Sequence, residues 1–102
     1  MTDIDLELCN EALSLWGCDA QIGMVHEEIG ELLQAINKHK RYGNQVTAIA
    51  LMEEIADVEI MLAQLRLLFI SPEPFDSVLE RKQNRLRDRL GLKQIAYGKD
   101  AE

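Results

Sequence analysis

The stretch Leu51-Met52-Glu53-Glu54-Ile55-Ala56-Asp57-Val58-Glu59-Ile60-Met61-Leu62 decides the fold. Its apolar residues do not alternate with polar ones, as a half-buried strand requires, but recur at helical spacing. Leu51, Val58, Leu62 and Leu65 define the main face, and Glu54 and Asp57 fall on or beside it. Met52, Ile60 and Met61 lie on other sides, so the helix is apolar almost all round. A helix of that kind is covered on most of its surface. Three short neighbours in a chain of 102 residues do not suffice for that. The expectation is a second subunit, in a homodimer or a dimer of dimers.

Outward from this segment, stop and start signals divide the rest of the chain. Asn44 can cap the decisive helix, predicted from about Gln45 to Ile70. Asp19 can cap a preceding helix that runs to about Tyr42, with Gly43 after it, and Thr2 or Asp3 can cap a first helix ending at Gly17. Ser71 followed by Pro72 opens a fourth, which ends near Leu90-Gly91. No convincing period-2 strand appears. Four helices with short connections predict an all-α, four-helix-bundle fold in one domain over residues 1–102. The polar tail from about Leu92 is expected to fray.

Composition narrows the function classes. A net charge of -7 argues against a nucleic-acid polymer as partner, because phosphate binding along a polymer needs a basic face. It does not argue against a small phosphorylated ligand presented with a metal. Cys9 and Cys18 are too few for a disulfide framework, and no signal-type segment opens the sequence as given. A cytoplasmic location is the expectation. The run Leu67-Leu68-Phe69-Ile70 is far short of a membrane span.

Two acid pairs carry the chemistry: Glu28 with Glu31, in His26-Glu27-Glu28-Ile29-Gly30-Glu31, and Glu54 with Asp57. Residues three apart on a helix are neighbours, with Cβ atoms roughly 5–6 Å apart. The Glu28 pair alone reads as an ordinary solvated face, since Glu is a good helix former. The Glu54 pair is different. It sits among apolar neighbours, and Lys and Arg are absent from Asn44 through Gln64. Ionised groups in such a setting need a partner or a metal. Two pairs facing each other would place four carboxylates around one point. A hard divalent cation, Mg²⁺ or alternatively Mn²⁺, takes oxygen ligands of that kind.

These residues carry a resemblance. Ala12-Leu13-Ser14-Leu15-Trp16-Gly17 through Gln21, then Glu27-Glu28-Ile29-Gly30-Glu31-Leu32 with Ala35-Ile36, then Glu53-Glu54-Ile55-Ala56-Asp57-Val58, resemble the MazG-like nucleotide pyrophosphohydrolases of the all-α NTP pyrophosphatase group. The family signature is Glu-Glu-x-x-Glu, a spacer, then Glu-x-x-Asp, and here 22 residues separate Glu31 from Glu54. The resemblance covers about residues 8 to 90. It implies the MazG-like helical fold, with Glu28, Glu31, Glu54 and Asp57 as Mg²⁺ ligands. The reaction it implies is hydrolysis of a nucleoside triphosphate to the monophosphate and pyrophosphate, in clearing excess or non-standard nucleotides. Glu27 and Glu53 each precede a ligand and are candidates to accept the proton of water. The chain lacks the Tyr-His pair that follows the second motif in phosphoribosyl-ATP pyrophosphatases, which disfavours that substrate.

Phosphates also need cations. Lys82 and Arg85 share a face of the fourth helix with Val78, Leu79 and Leu86, and the resemblance favours them, against the plainer reading of snorkelling stems. Lys38, two turns beyond Glu31 in the same sector, is next in line. Gln21 is a candidate reader of a base edge. Trp16, His26 and the two cysteines read as structural. The rival class is a metal-free helical interaction module with a solvated acidic face.

Overall fold

A computed structural model describes residues 2–97; all secondary structure among them is helical, and no strand occurs among the described residues. The helices are α1 (Leu6–Trp16), α2 (Cys18–Tyr42), α3 (Gln45–Phe69) and α4 (Pro72–Arg89). The chain divides into two compact units, Met1–Phe69 and Ile70–Glu102. No helix of the described residues is long and apolar enough to cross a membrane.

In the first unit, α2 and α3 form a long antiparallel hairpin, each about 37 Å at 1.5 Å per residue. Side-chain pairs at both ends set its register. Gln21 near the start of α2 meets Gln64 near the end of α3, with Nε2 donating to Oε1 at 2.6 Å. At the turn, His39 meets Thr47 at 2.9 Å. Gly43 makes the turn in left-handed backbone, φ 57° and ψ 39°, as a C-terminal glycine stop does. Asn44 and Thr47 then cap α3 reciprocally: the Thr47 N–H donates to Asn44 Oδ1 at 2.9 Å, and the Asn44 N–H to Thr47 Oγ1 at 3.1 Å. Helix α1 lies mainly on α3, with the buried Cys9 thiol 4.0 Å from the Ile60 carbonyl. Burial, and after it Asp5, raise the Cys9 pKa.

Three local expectations shift. Asp5, not Thr2 or Asp3, caps α1, its Oδ1 accepting from the Leu8 N–H at 3.1 Å. Gly17, with φ 88°, rather than Asp19, precedes α2. On α3, Val58 is buried and Leu51 and Leu65 are half-buried on the expected face, but Met61, at 7% exposure, takes the place expected of Leu62, which stands at 44%. Apolar residues surround this helix, and the pattern does not say which of them meets α2.

The second unit is α4 with the chain after it folded back. Gly91, at φ 76°, makes the turn. The Asn84 carboxamide pairs with the Ile95 backbone in both directions, Nδ2 donating to the carbonyl at 2.8 Å and Oδ1 accepting from the N–H at 2.7 Å. The Tyr97 hydroxyl donates to Gln83 at 3.0 Å, and Arg87 lies 5.2 Å from the centre of the Tyr97 ring. Residues 92–97 are therefore tied to α4 rather than frayed; residues 98–102 lie outside those described.

Candidate metal centre

The hairpin register brings the acid pairs together. The contact stripe of α2 runs Gln21, Val25, Glu28, Leu32, Ala35 and His39, and that of α3 runs Thr47, Leu51, Glu54, Val58 and Met61, all buried or half-buried. Steps of three and four keep each set on one side of its helix. Glu28 and Glu54 thus occupy the interhelical stripes themselves. One carboxylate oxygen from each of Glu28, Glu54 and Asp57 lies within 4.8 Å of the other two. Glu28 and Glu54 are half-buried and Asp57 is exposed.

The electrostatics show strain. Burial, with the charges of Glu31, Asp57 and Glu54 after it, pushes the Glu28 pKa up to about 7. Burial, then Glu31 and Asp57, raise that of Glu54 as well. Glu28 Oε2 and Glu54 Oε2 are both buried without a hydrogen-bond partner. Two ionised carboxylates only accept, so neither satisfies the other unless a proton lies between them. Buried polar oxygens left unpaired are rare and costly.

This donor set fits a hard divalent cation. Ligand oxygens on opposite sides of Mg²⁺ stand about 4 Å apart, twice the ~2.0–2.1 Å bond length. Oxygens within 4.8 Å need only small side-chain shifts to reach that spacing. Glu31 stands outside the tight trio and is exposed, one turn along α2, yet near enough for its charge to act on both buried acids. Glu27 and Glu53 are exposed beside the trio.

The other sequence candidates are distributed differently. Gln21 is buried at 5% exposure, and its amide nitrogen donates to Gln64 across the hairpin. Replacing Gln21 with Met should cost about 1–3 kcal/mol of stability, the penalty for orphaning the buried Gln64 amide. If Gln21 instead touched a substrate, a ligand-binding or activity measurement on the same variant would fall while its urea midpoint held. Lys82 is exposed on α4, and Arg85 lines a cleft of about 430 Å³ between α4 and the returning chain, with Arg81, Asn84 and Tyr97. Lys38 lines a cleft that starts at Glu31 and Glu54. Gln34 and Thr47 line it too. The sequence reading missed both, although Gln34 lies three residues after Glu31 and four before Lys38, on one face of α2.

Comparison with known proteins returned no match to a family model, to a curated protein or to a solved structure.

Proposed function

We propose that the chain is a Mg²⁺-dependent nucleoside triphosphate pyrophosphohydrolase of MazG-like fold. The observation that carries this reading is the trio Glu28, Glu54 and Asp57, with two buried carboxylate oxygens that have no hydrogen-bond partner among the described residues. A solvated acidic face, as in a non-catalytic interaction module, would keep its carboxylates in water with ordinary pKa values. Here Glu28 is pushed up to about 7.

The trio, with Glu31 at its margin, would hold the cation. A Mg²⁺ ion held there would supply charge neutralisation for the phosphates and a lowered pKa for a bound water. Phosphoryl chemistry asks the protein mainly for position and charge stabilisation. The half-buried walls of α2 and α3 fix Glu28 and Glu54, so the carboxylates need little reorganisation. Water adds across the anhydride between the α- and β-phosphates. The nucleoside monophosphate and pyrophosphate separate, and the proton of water passes to an exposed acid, for which Glu27 and Glu53 are the candidates. Lys82 and Arg85 are the further cations proposed for the phosphates.

The test is a panel of NTPs and dNTPs assayed for pyrophosphate and orthophosphate, with Mg²⁺, with Mn²⁺ and with EDTA. Pyrophosphate release that stops in EDTA is expected. Orthophosphate as first product, or undiminished activity in EDTA, would refute the mechanism.

The same reading includes a second copy of the chain. Leu33, Met52 and Trp16 are 57%, 60% and 62% exposed, on three different helices. Exposed apolar side chains on all three helices of the first unit are surface that a second copy would cover. Light scattering at low micromolar concentration should give a mass of two or four chains rather than 11.6 kDa.

A further inference from the structure

The cleft between the acid cluster and the α2–α3 turn has a volume of about 390 Å³ and is lined by Glu31, Gln34, Ala35, Lys38, Thr47, Ala50 and Glu54. Its two ends differ in charge. Glu31 and Glu54 stand at the metal end, and Lys38, seven residues beyond Glu31, stands at the other. No described residue forms a hydrogen bond or ion pair with Lys38. Among the described residues no aromatic ring lines the cleft, so none is there for a base to stack on.

The far wall is held rigidly. The Thr47 hydroxyl donates to the Asn44 carbonyl at 3.0 Å and accepts from the Asn44 N–H. With its proton used there, its remaining lone pair accepts from His39, whose Nδ1 therefore carries the hydrogen of that 2.9 Å bond. His39 follows Lys38 directly. This bond ties the last turn of α2 to the first turn of α3 and sets the width of the cleft at the Lys38 end. Thr47 has no capacity left for a ligand and serves as wall, while the Lys38 ammonium and the Gln34 amide remain as donors.

We propose that this cleft is the subsite for the distal phosphates of the triphosphate, with Lys38 as its cation and Gln34 as an amide donor. The proposal rests on the hydrolase reading above and adds a direction to it. The substrate lies along the hairpin, with its leaving pyrophosphate toward the turn. Negative charge grows on that group as the anhydride opens, and an ammonium at that end stabilises it. His39 is a positioning residue that acts through Thr47.

The probe is Mg²⁺-tripolyphosphate, which carries the phosphates without base or sugar, titrated by calorimetry into the intact chain. Lys38→Ala should weaken its binding about tenfold or more, as loss of a charge-assisted contact to phosphate does. Lys38→Arg should retain most of the affinity. Lys40→Ala makes the same change in net charge about 200° round the helix and should leave binding unaltered. Binding of Mg²⁺ alone should be the same in all three. Equal loss in the Lys38→Ala and Lys40→Ala variants, or no loss in either, would overturn the subsite. So would a wild-type chain that turns over an NTP but does not bind tripolyphosphate, because the affinity would then come from the base. Failure of the hydrolase reading shows separately, as no pyrophosphate from any NTP in the panel.

Discussion

Glu54→Gln is expected to cut pyrophosphate release about 100-fold or more and to raise the melting temperature of the metal-free protein. Activity falls because a carboxylate ligand is lost. Even partners that only orient metal ligands cost 10–100-fold when removed. Stability rises for a different reason. In the metal-free protein, Glu54 Oε2 and Glu28 Oε2 are each buried without a hydrogen-bond partner, and one oxygen of each carboxylate lies within 4.8 Å of the other residue's. The introduced carboxamide has nearly the same shape, carries no charge, and offers two N–H donors to the orphaned Glu28 oxygen. Removing one of several crowded like charges also relieves the repulsion that raises the Glu28 pKa. The pairing of outcomes is diagnostic, because a purely structural Glu would lose stability together with activity. Turnover near wild type in this variant would take Glu54 out of the site.

How much of this was legible in the sequence depends on the kind of signal. Gly43, Asn44 and Ser71-Pro72 are local and strong, and α3 and α4 begin where those residues direct. The N-terminus of α1 was ambiguous because Thr2, Asp3 and Asp5 are all good caps, and only the backbone path selects the one whose oxygen reaches the Leu8 N–H. The contact face of α2 was harder. Periodicity marks Ile22, Val25, Ile29, Leu32, Leu33 and Ile36 as its apolar stripe; Val25 is buried and Ile22 and Leu32 are half-buried, yet Ile29, Leu33 and Ile36 are exposed, and Gln21 and Ala35, outside that stripe, are buried. Hydrophobic patterning records which faces avoid water, not which neighbour covers them. Small or polar residues at a tight helix–helix contact contribute little to it. The acids were legible by spacing, and Glu54 also by its apolar neighbours; the depth of Glu28, whose pair alone reads as a solvated face, was not. That Glu28 and Glu54 lie in the stripes between the helices follows from the hairpin register, which the Gln21–Gln64 and His39–Thr47 bonds show. The same holds for Gln21: a glutamine one or two turns before an acid looks available in sequence, and the register buries it against Gln64. Lys38 and Gln34 became neighbours of the acid cluster only once Thr47 and Ala50 closed the other side of their cleft.

Melting with and without Mg²⁺ across pH should give the largest effect on stability. Consider the metal-free protein first. The Glu28 carboxyl has an ordinary value of 4.5 and is pushed up to about 7 in the folded state, chiefly by burial and then by its acidic neighbours. Between those values the folded chain keeps a proton that the unfolded chain has released. Stability therefore falls as pH rises through this window and levels off above about 7. The raised Glu54 pKa acts in the same direction. Mg²⁺ reverses the trend. At pH 5 it must displace protons to bind, whereas at pH 8 the carboxylates are already ionised and crowded. A ligand that binds only the folded state at a hundred times its dissociation constant adds about 2.7 kcal/mol. In a domain of this size each kcal/mol moves the midpoint by roughly 4–8 °C. Saturating Mg²⁺ should thus raise the melting temperature by roughly 10 °C or more at pH 8 and by little at pH 5, and the metal-free protein should melt higher at pH 5 than at pH 8. A solvated acidic face gives neither result: its carboxylates would titrate near their ordinary values, and its melting curve would show the same small response to Mg²⁺ at both pH values.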